Sequence, residues 1–434
     1  MIPGPKLAPT PGVRILPSSP ADGEPMSDTP WTESMPEEQF ERMRAMLAAP
    51  SPIGLEAAMT EGVIVPFLEK HCPDWKIHRF RGNAGIVVDS KPDDTDAFTV
   101  MVIGHADKIR MQVRNIGEDG KIWINSDSFL PVTLIGHETQ LFSEDPAAPG
   151  SYRIIEGGTV EAIGAIHFAD AAVRDGSRGL KPTQLYLELQ LHGEERKKQV
   201  ESLGIRAGDT ILLKRPIRRG FGPDSFYGAY LDNGLGCFVT AEVAKLLAEA
   251  GGPKNVRYLG AFAAYEEIGR FGSRVFAGEM RPDVVIGVDV AHDLDAAPGV
   301  GDRRYTPNKM GAGMTLQVGA IVTPTLNEIF QQVCTEKEIP FQMTPSGRDT
   351  GTDGMAAVLA SVDAAATSIG FPIRNMHTIS ESAHTGDVLA SVHATVGVIQ
   401  EMDARNGGAG ITADDLRRGH PRLDSAAAIA HGDA

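Results

Sequence analysis

Three apolar runs in this chain each lead to a potential metal ligand, and that coincidence limits the architectures open to it. Phe98–Ile103, Val256–Phe262 and Val284–Val288 are rich in β-branched and aromatic side chains, which suit a buried, pleated strand. The first stops at Gly104-His105-Ala106-Asp107, the second leads to Glu266-Glu267, and the third ends on Asp289. Apolar residues at helical spacing accompany them: Leu235, Phe238, Val239, Val243, Leu246 and Leu247 form one face, and Val388, Val392, Val396, Ile399 and Met402 another. Strands alternating with helices predict an α/β fold. In open α/β sheets ligands bind outside the carboxyl ends of the strands, where these runs deliver a His or an acid.

The pattern is interrupted once. From Lys108 to about Arg219 short apolar runs such as Lys121–Ile124, Val132–Ile135, Tyr152–Ile155 and Thr210–Leu213 alternate with Gly, Pro and Asp turns. That texture predicts a small β barrel or sandwich, inserted into the α/β unit. The expected organisation is a catalytic domain in two parts, 31–109 and 218–405, around an inserted β domain at 110–217. Residues 1–30, rich in Pro, Gly, Ser and Asp, and 406–434 read as loose tails. Within the catalytic parts, helices are expected over Pro36–Leu47 and about Leu55–Lys70, and another opens at Thr323-Pro324.

Charge and cysteine usage exclude several function classes. The formal net charge is −16, against the basic surface that nucleic-acid binding needs. No run is long and apolar enough to span a bilayer, and the N-terminal stretch lacks the apolar core of a secretory signal. Cys72, Cys237 and Cys334 are widely separated and form no Cys-x-x-Cys pair, so neither a disulfide framework nor structural zinc is expected. A reducing cytoplasm fits best.

Five clusters carry the candidate chemistry. His105 can ligate a metal while Asp107 fixes its ring; alternatively, a backbone carbonyl satisfies the imidazole. Asp232, in Tyr230-Leu231-Asp232-Asn233-Gly234, stands before a helix and can ligate or cap it. Glu266-Glu267 can be a ligand and its neighbouring base, or a solvated pair. Asp289 can ligate, cap or pair with an Arg. His377 lies in Arg374-Asn375-Met376-His377-Thr378, before the last helix. Two imidazoles and several carboxylates make an N/O donor set suited to Zn²⁺, Co²⁺ or Mn²⁺. A two-metal site needs one shared carboxylate, and Asp232 is the candidate; such a site lowers the pKa of a water and polarises a carbonyl.

In this order the motifs resemble those of the M42 family of dinuclear metallo-aminopeptidases, of the tetrahedral or glutamyl-aminopeptidase type. Met46–Gly54, Leu203–Asp209 and Gly351-Thr352-Asp353-Gly354 agree with further family segments. The resemblance implies a mixed-sheet zinc-peptidase fold (phosphorylase/hydrolase-like) with a β-barrel-like insertion. It implies two divalent ions, one held by His105 and Asp289, the other by His377 and Glu267, with Asp232 bridging. Glu266 would be the general base and Asp107 would orient His105. The expected reaction is removal of N-terminal residues from peptides, and the expected assembly is self-association through the insertion, often into dodecameric shells. The chain departs from the family at Lys108-Ile109-Arg110, two cations where uncharged or acidic residues are usual. It also runs several residues longer after His377, which makes His384 a rival ligand, with His292 a weaker one. A zinc amidohydrolase or deacylase on a non-peptide amide is the alternative enzyme. A catalytically silent assembly protein is the alternative outside enzymes; a scaffold would need neither Glu266 nor Asp232.

Overall fold

A computed structural model describes residues 29–126, 128–145, 147–148, 150–162, 166–296, 308–346, 351–359, 364–408 and 416. The two expected tails lie almost wholly outside them. Helix α1 (Glu37–Ala48) starts after Pro36, whose missing N–H costs nothing there, and buries Phe40, Met43, Met46 and Leu47. The next helix is broken: Ala57–Met59, a π-helical turn Thr60–Ile64, then Val65–His71. Pro66 explains the break. It has no N–H, its ring clashes with the carbonyl four residues back, and a wider turn relieves both.

Strands β1 (Lys76–Arg79), β2 (Gly85–Asp89) and β3 (Phe98–His105) follow. The chain then leaves the sheet and closes a six-stranded barrel from β4 (Met111–Ile116), β5 (Ile122–Ser126), β6 (Glu138–Glu144), β7 (Tyr152–Ala162), β8 (Leu185–Glu188) and β9 (Thr210–Leu213). Closure in the order β4-β5-β8-β7-β6-β9 leaves no open sheet edge. The barrel has its own core, which includes Met111, Ile122, Leu141, Val160, Leu187 and Ile211. Tyr230 and Ile379, from outside the barrel strands, complete that core.

A ribbon of β10 (Arg218–Arg219) and β11 (Ser225–Gly228) brings the chain back. Helix α2 (Leu231–Glu249), β12 (Val256–Ala263), α3 (Phe271–Met280), β13 (Val284–His292) and β14 (Met314–Val318) come next. Helix α4 (Pro324–Glu336), β15 (Phe341–Pro345), α5 (Asp353–Leu359), β16 (Ala365–Ile373), β17 (Glu381–His384) and α6 (Thr385–Gly408) finish the fold. Thr323 precedes α4 as expected, but its hydroxyl accepts the Ala366 N–H at 2.9 Å rather than capping the helix.

The main sheet is mixed, with order β1-β2-β12-β3-β13-β16-β14-β15. Its centre is parallel: β3 lies between β12 and β13, and β16 runs alongside β13. Strand β3 precedes the barrel in sequence and its two neighbours follow it, so the barrel is spliced into a single sheet. One face packs under α1, α2, α4 and α6, with Val100, Val102, Phe238, Phe330 and Val392 in its core. The other packs under α3 and α5, with Met101, Ile103, Phe276 and Met355. Among the described residues no helix is long and apolar enough to cross a membrane.

Candidate metal centre

The parallel strands set three donors at one level. In the β3–β12 register Ala263 is opposite His105, so Glu266 and Glu267 fall just beyond. In the β3–β13 register the last pair is Ile103 with Gly287, and two residues on come His105 and Asp289. Helix α2 then brings Asp232 against this edge. It packs closely because Gly104 has no side chain: a Cβ there would meet Gly236 C at 2.4 Å and Cys237 N at 2.7 Å. The loop between β16 and β17 adds His377.

Asp232 is the centre of the cluster. Its Oδ1 lies 3.2 Å from His105 Nε2 and its Oδ2 lies 3.3 Å from His377 Nε2. Around them, His105 Nε2 is 3.8 Å from Glu266 Oε2 and 3.9 Å from Asp289 Oδ1, and His377 Nε2 is 3.7 Å from Glu267 Oε2. Ligand atoms of His105, Asp232 and Glu267 all fall within 4.8 Å of one another. His105 and Asp232 are buried, while Glu266, Glu267, Asp289 and His377 are partly buried. All five proposed donors and the proposed base therefore meet in one place.

Asp107 does more than sit beside an imidazole. The His105 Nδ1 is 3.2 Å from the Asp107 backbone oxygen and 3.5 Å from its carboxylate. The carboxylate itself accepts the backbone N–H groups of Glu266 and Glu267, each at 3.1 Å. One buried acid thus fixes both the ring and the double-Glu turn, whose preceding residue, Tyr265, has a left-handed φ of 62°.

The electrostatics call for positive charge. Burial first, then Asp289, Asp353 and Asp232, push Glu266 up to about 9 against the pull of His105. Burial and Asp232 push Asp289 up to about 8, and Glu267 rises well above the usual carboxyl range for the same two reasons. Burial works the same way on Asp232, but the two imidazoles hold its carboxyl below the ordinary value. His105 resists burial and rises because Asp107 and Asp232 face it. Two buried oxygens, Asp232 Oδ1 and Glu267 Oε1, have no hydrogen-bond partner. Unpaired lone pairs among crowded acids and imidazoles fit divalent cations. Cys237 is not a donor to the cluster; its thiol points at the His105 carbonyl oxygen, 3.1 Å away.

The rival histidines and the unusual cations lie elsewhere. The His384 Nδ1 accepts the Gly386 N–H at 3.1 Å at the end of β17, and the His292 side chain is exposed at the end of β13. Lys108 turns away from the cluster into the core. Its Nζ donates to the Leu47 carbonyl at 2.7 Å and to that of Ala49, 5.5 Å from the Tyr230 ring centroid; burial lowers it to about 7. Arg110 donates to Thr210 Oγ1 at 2.7 Å on the barrel.

Two acids escaped the sequence reading. Asp353 is buried at the start of α5, and burial pushes it up to about 6 while His105 pulls the other way. It stood in Gly351-Thr352-Asp353-Gly354, a segment read only for its resemblance. Glu381 is buried at the start of β17, where its carboxylate accepts three backbone N–H groups. Burial, with Asp232 adding to it, pushes Glu381 up to about 8, and those N–H donors oppose the rise. Its signal was an acid four residues after the candidate ligand His377.

Comparison with known proteins identifies the fold and the family. A lysyl aminopeptidase of Pyrococcus furiosus is 26% identical over 366 residues, covering 84% of this chain and 97% of its own. The fold is that of a TET aminopeptidase from a thaumarchaeal marine sediment archaeon, with a TM-score of 0.74 at 18% identity over 86% of this chain and 99% of that one. It is also that of the Pyrococcus horikoshii TET1 peptidase, described as assembling into a tetrahedron or a large octahedral shell, with a TM-score of 0.65 at 17% identity over 84% and 99%. The model of the M42 glutamyl aminopeptidase family matches residues 84–393, a span that contains every residue of the cluster. By that match the chain belongs to the M42 family of peptidases.

Proposed function

We propose that this chain is an aminopeptidase that uses two divalent cations to release N-terminal residues from peptides. The carrying observation is the placement of Asp232, whose two carboxylate oxygens face two different imidazoles at 3.2 and 3.3 Å. His105 with Asp289 would hold one ion and His377 with Glu267 the other, Asp232 serving both. Bound there, Zn²⁺, Co²⁺ or Mn²⁺ would acidify a water and polarise the scissile carbonyl.

The chain's own groups do the rest. Glu266 holds the proton taken from the attacking water at its carboxylate and delivers it to the leaving amine. Asp107 keeps the Glu266 and Glu267 backbone in place through the two N–H groups it accepts. The barrel is proposed to be the separate domain through which copies of the chain associate, as the TET1 peptidase assembles into shells. The three described cysteines are free and buried, in keeping with a cytoplasmic setting.

Metal removal tests the reading. Exhaustive chelation should abolish hydrolysis of aminoacyl-anilides, and Co²⁺, Zn²⁺ or Mn²⁺ should restore it, with close to two ions per chain by elemental analysis. Full activity without metal would sink the proposal. Cleavage of acyl-amino acids in place of aminoacyl-anilides would move it to an amidohydrolase.

A further inference from the structure

We propose that Glu381 is a positioning residue that locks the two halves of the metal centre to each other through their backbones. The inference rests on the two-cation reading above. Glu381 opens β17, which pairs with β11 in the register Gly228 with Glu381. That pairing carries the carboxylate, 2% exposed, to the turn before α2. There Oε2 accepts the Leu231 N–H at 2.6 Å and the Asp232 N–H at 3.3 Å. The other oxygen, Oε1, accepts the His377 N–H at 2.8 Å. One side chain thereby spans the segment of the bridging acid and the segment of the second imidazole. Its carboxylate is not one of the ligand atoms that gather at His105, Asp232 and Glu267 among the described residues.

The backbone at both attachment points needs such a constraint. Tyr230 has φ 65° and His377 has φ 61°, in the left-handed region that non-glycine residues leave unless their surroundings hold them. Glu381 grips the chain directly after the first and on the second. Hydrogen bonds from N–H to a carboxylate are the strong kind, and three of them on one group fix both segments at once. The distance between His377 Nε2 and Asp232 Oδ2 is consequently set by Glu381, not by loop length.

The substitution that isolates this role is Glu381→Gln. It keeps the shape but has one acceptor oxygen, so its NH₂ must face an N–H of one segment or the other. The experiment titrates metal-free, full-length protein with Zn²⁺ and, separately, Co²⁺ by calorimetry, and melts each protein with and without the ion. We expect E381Q to bind the cations 10- to 100-fold more weakly, the usual cost of losing an outer partner of a metal site, and to lose most of the metal-induced rise in Tm. Parental affinity in E381Q overturns the inference. So does a lower metal-free Tm accompanied by an unchanged metal-induced rise, the mark of a purely structural acid. Should E381Q fail to fold, E381D, too short to reach both segments, is titrated instead, with tenfold weaker binding supporting the role and parental binding overturning it. If the parent itself takes up no cation, the two-cation reading falls and this inference with it. A parent that takes up two while E381Q is unaltered removes this inference alone.

Discussion

At the scale of single residues, the two adjacent glutamates face different imidazoles. The Glu266 carboxylate approaches His105 at 3.8 Å and that of Glu267 approaches His377 at 3.7 Å, and Asp107 holds the backbone N–H of each. Glu266→Gln should lower kcat by about 10²–10⁴-fold, the usual contribution of general acid–base catalysis, with metal content near that of the parent. Glu267→Gln should lose metal. Elemental analysis beside steady-state kinetics checks both, and an exchange of the two outcomes would exchange the roles. His105, Asp107, Asp232, Glu266, Glu267 and Asp289 were legible because each sits beside a strand or helix start that pattern reveals. Glu381 was not, because its contacts are to backbone N–H groups brought together only by the β11–β17 pairing. The destination of Lys108 was equally hidden. A cation next to an acid reads as part of the site, yet the carbonyls at the end of α1 supply its partners.

At the scale of elements, α2 packs backbone to backbone against the end of β3. Gly104 permits it, since the nearest atoms to a Cβ there belong to helix backbone and cannot rotate away. Gly104→Ala should cost about 1–3 kcal/mol, the range for forcing extra volume into a packed core, and should shift Asp232 away from His105. Thermal unfolding of the metal-free protein measures the first effect and cation titration the second; an unchanged Tm would show that α2 can give way. The central strands were plain from their apolar runs, which both layers of helices bury. The edge was not. Strand β15 reads Phe341-Gln342-Met343-Thr344-Pro345 and, among the described residues, pairs with β14 alone, and β17 reads Glu381-Ser382-Ala383-His384, with no β-branched residue. Such strands are made by their neighbours more than by their own propensity. The π-helical turn before Pro66 likewise depends on a clash that periodicity does not register.

At the scale of the molecule, the barrel both stands apart and leans on the site. Its surface exposes Leu130, Val132 and Ile154 at 55%, 69% and 49%, apolar area that association would cover. Its core takes in Tyr230 and Ile379, and the Tyr230 hydroxyl accepts the Leu213 N–H at 2.7 Å. Deleting the barrel would therefore strip cover from residues beside Asp232 and His377, and charge substitution is the cleaner test. Val132→Glu with Ile154→Glu should yield smaller particles by sedimentation velocity. Unchanged particles would place the contacts elsewhere. The splice of the barrel into the sheet also sets a timetable. A chain made from its N-terminus releases β3 from the ribosome early, but both strands that flank β3 are translated only after the whole barrel. His105 thus waits, first for Asp232, then for Glu267 and Asp289, and last for His377 and the carboxylate of Glu381. No product of interrupted synthesis that stops short of His377 carries the whole cluster, however much of the sheet and barrel it has already folded.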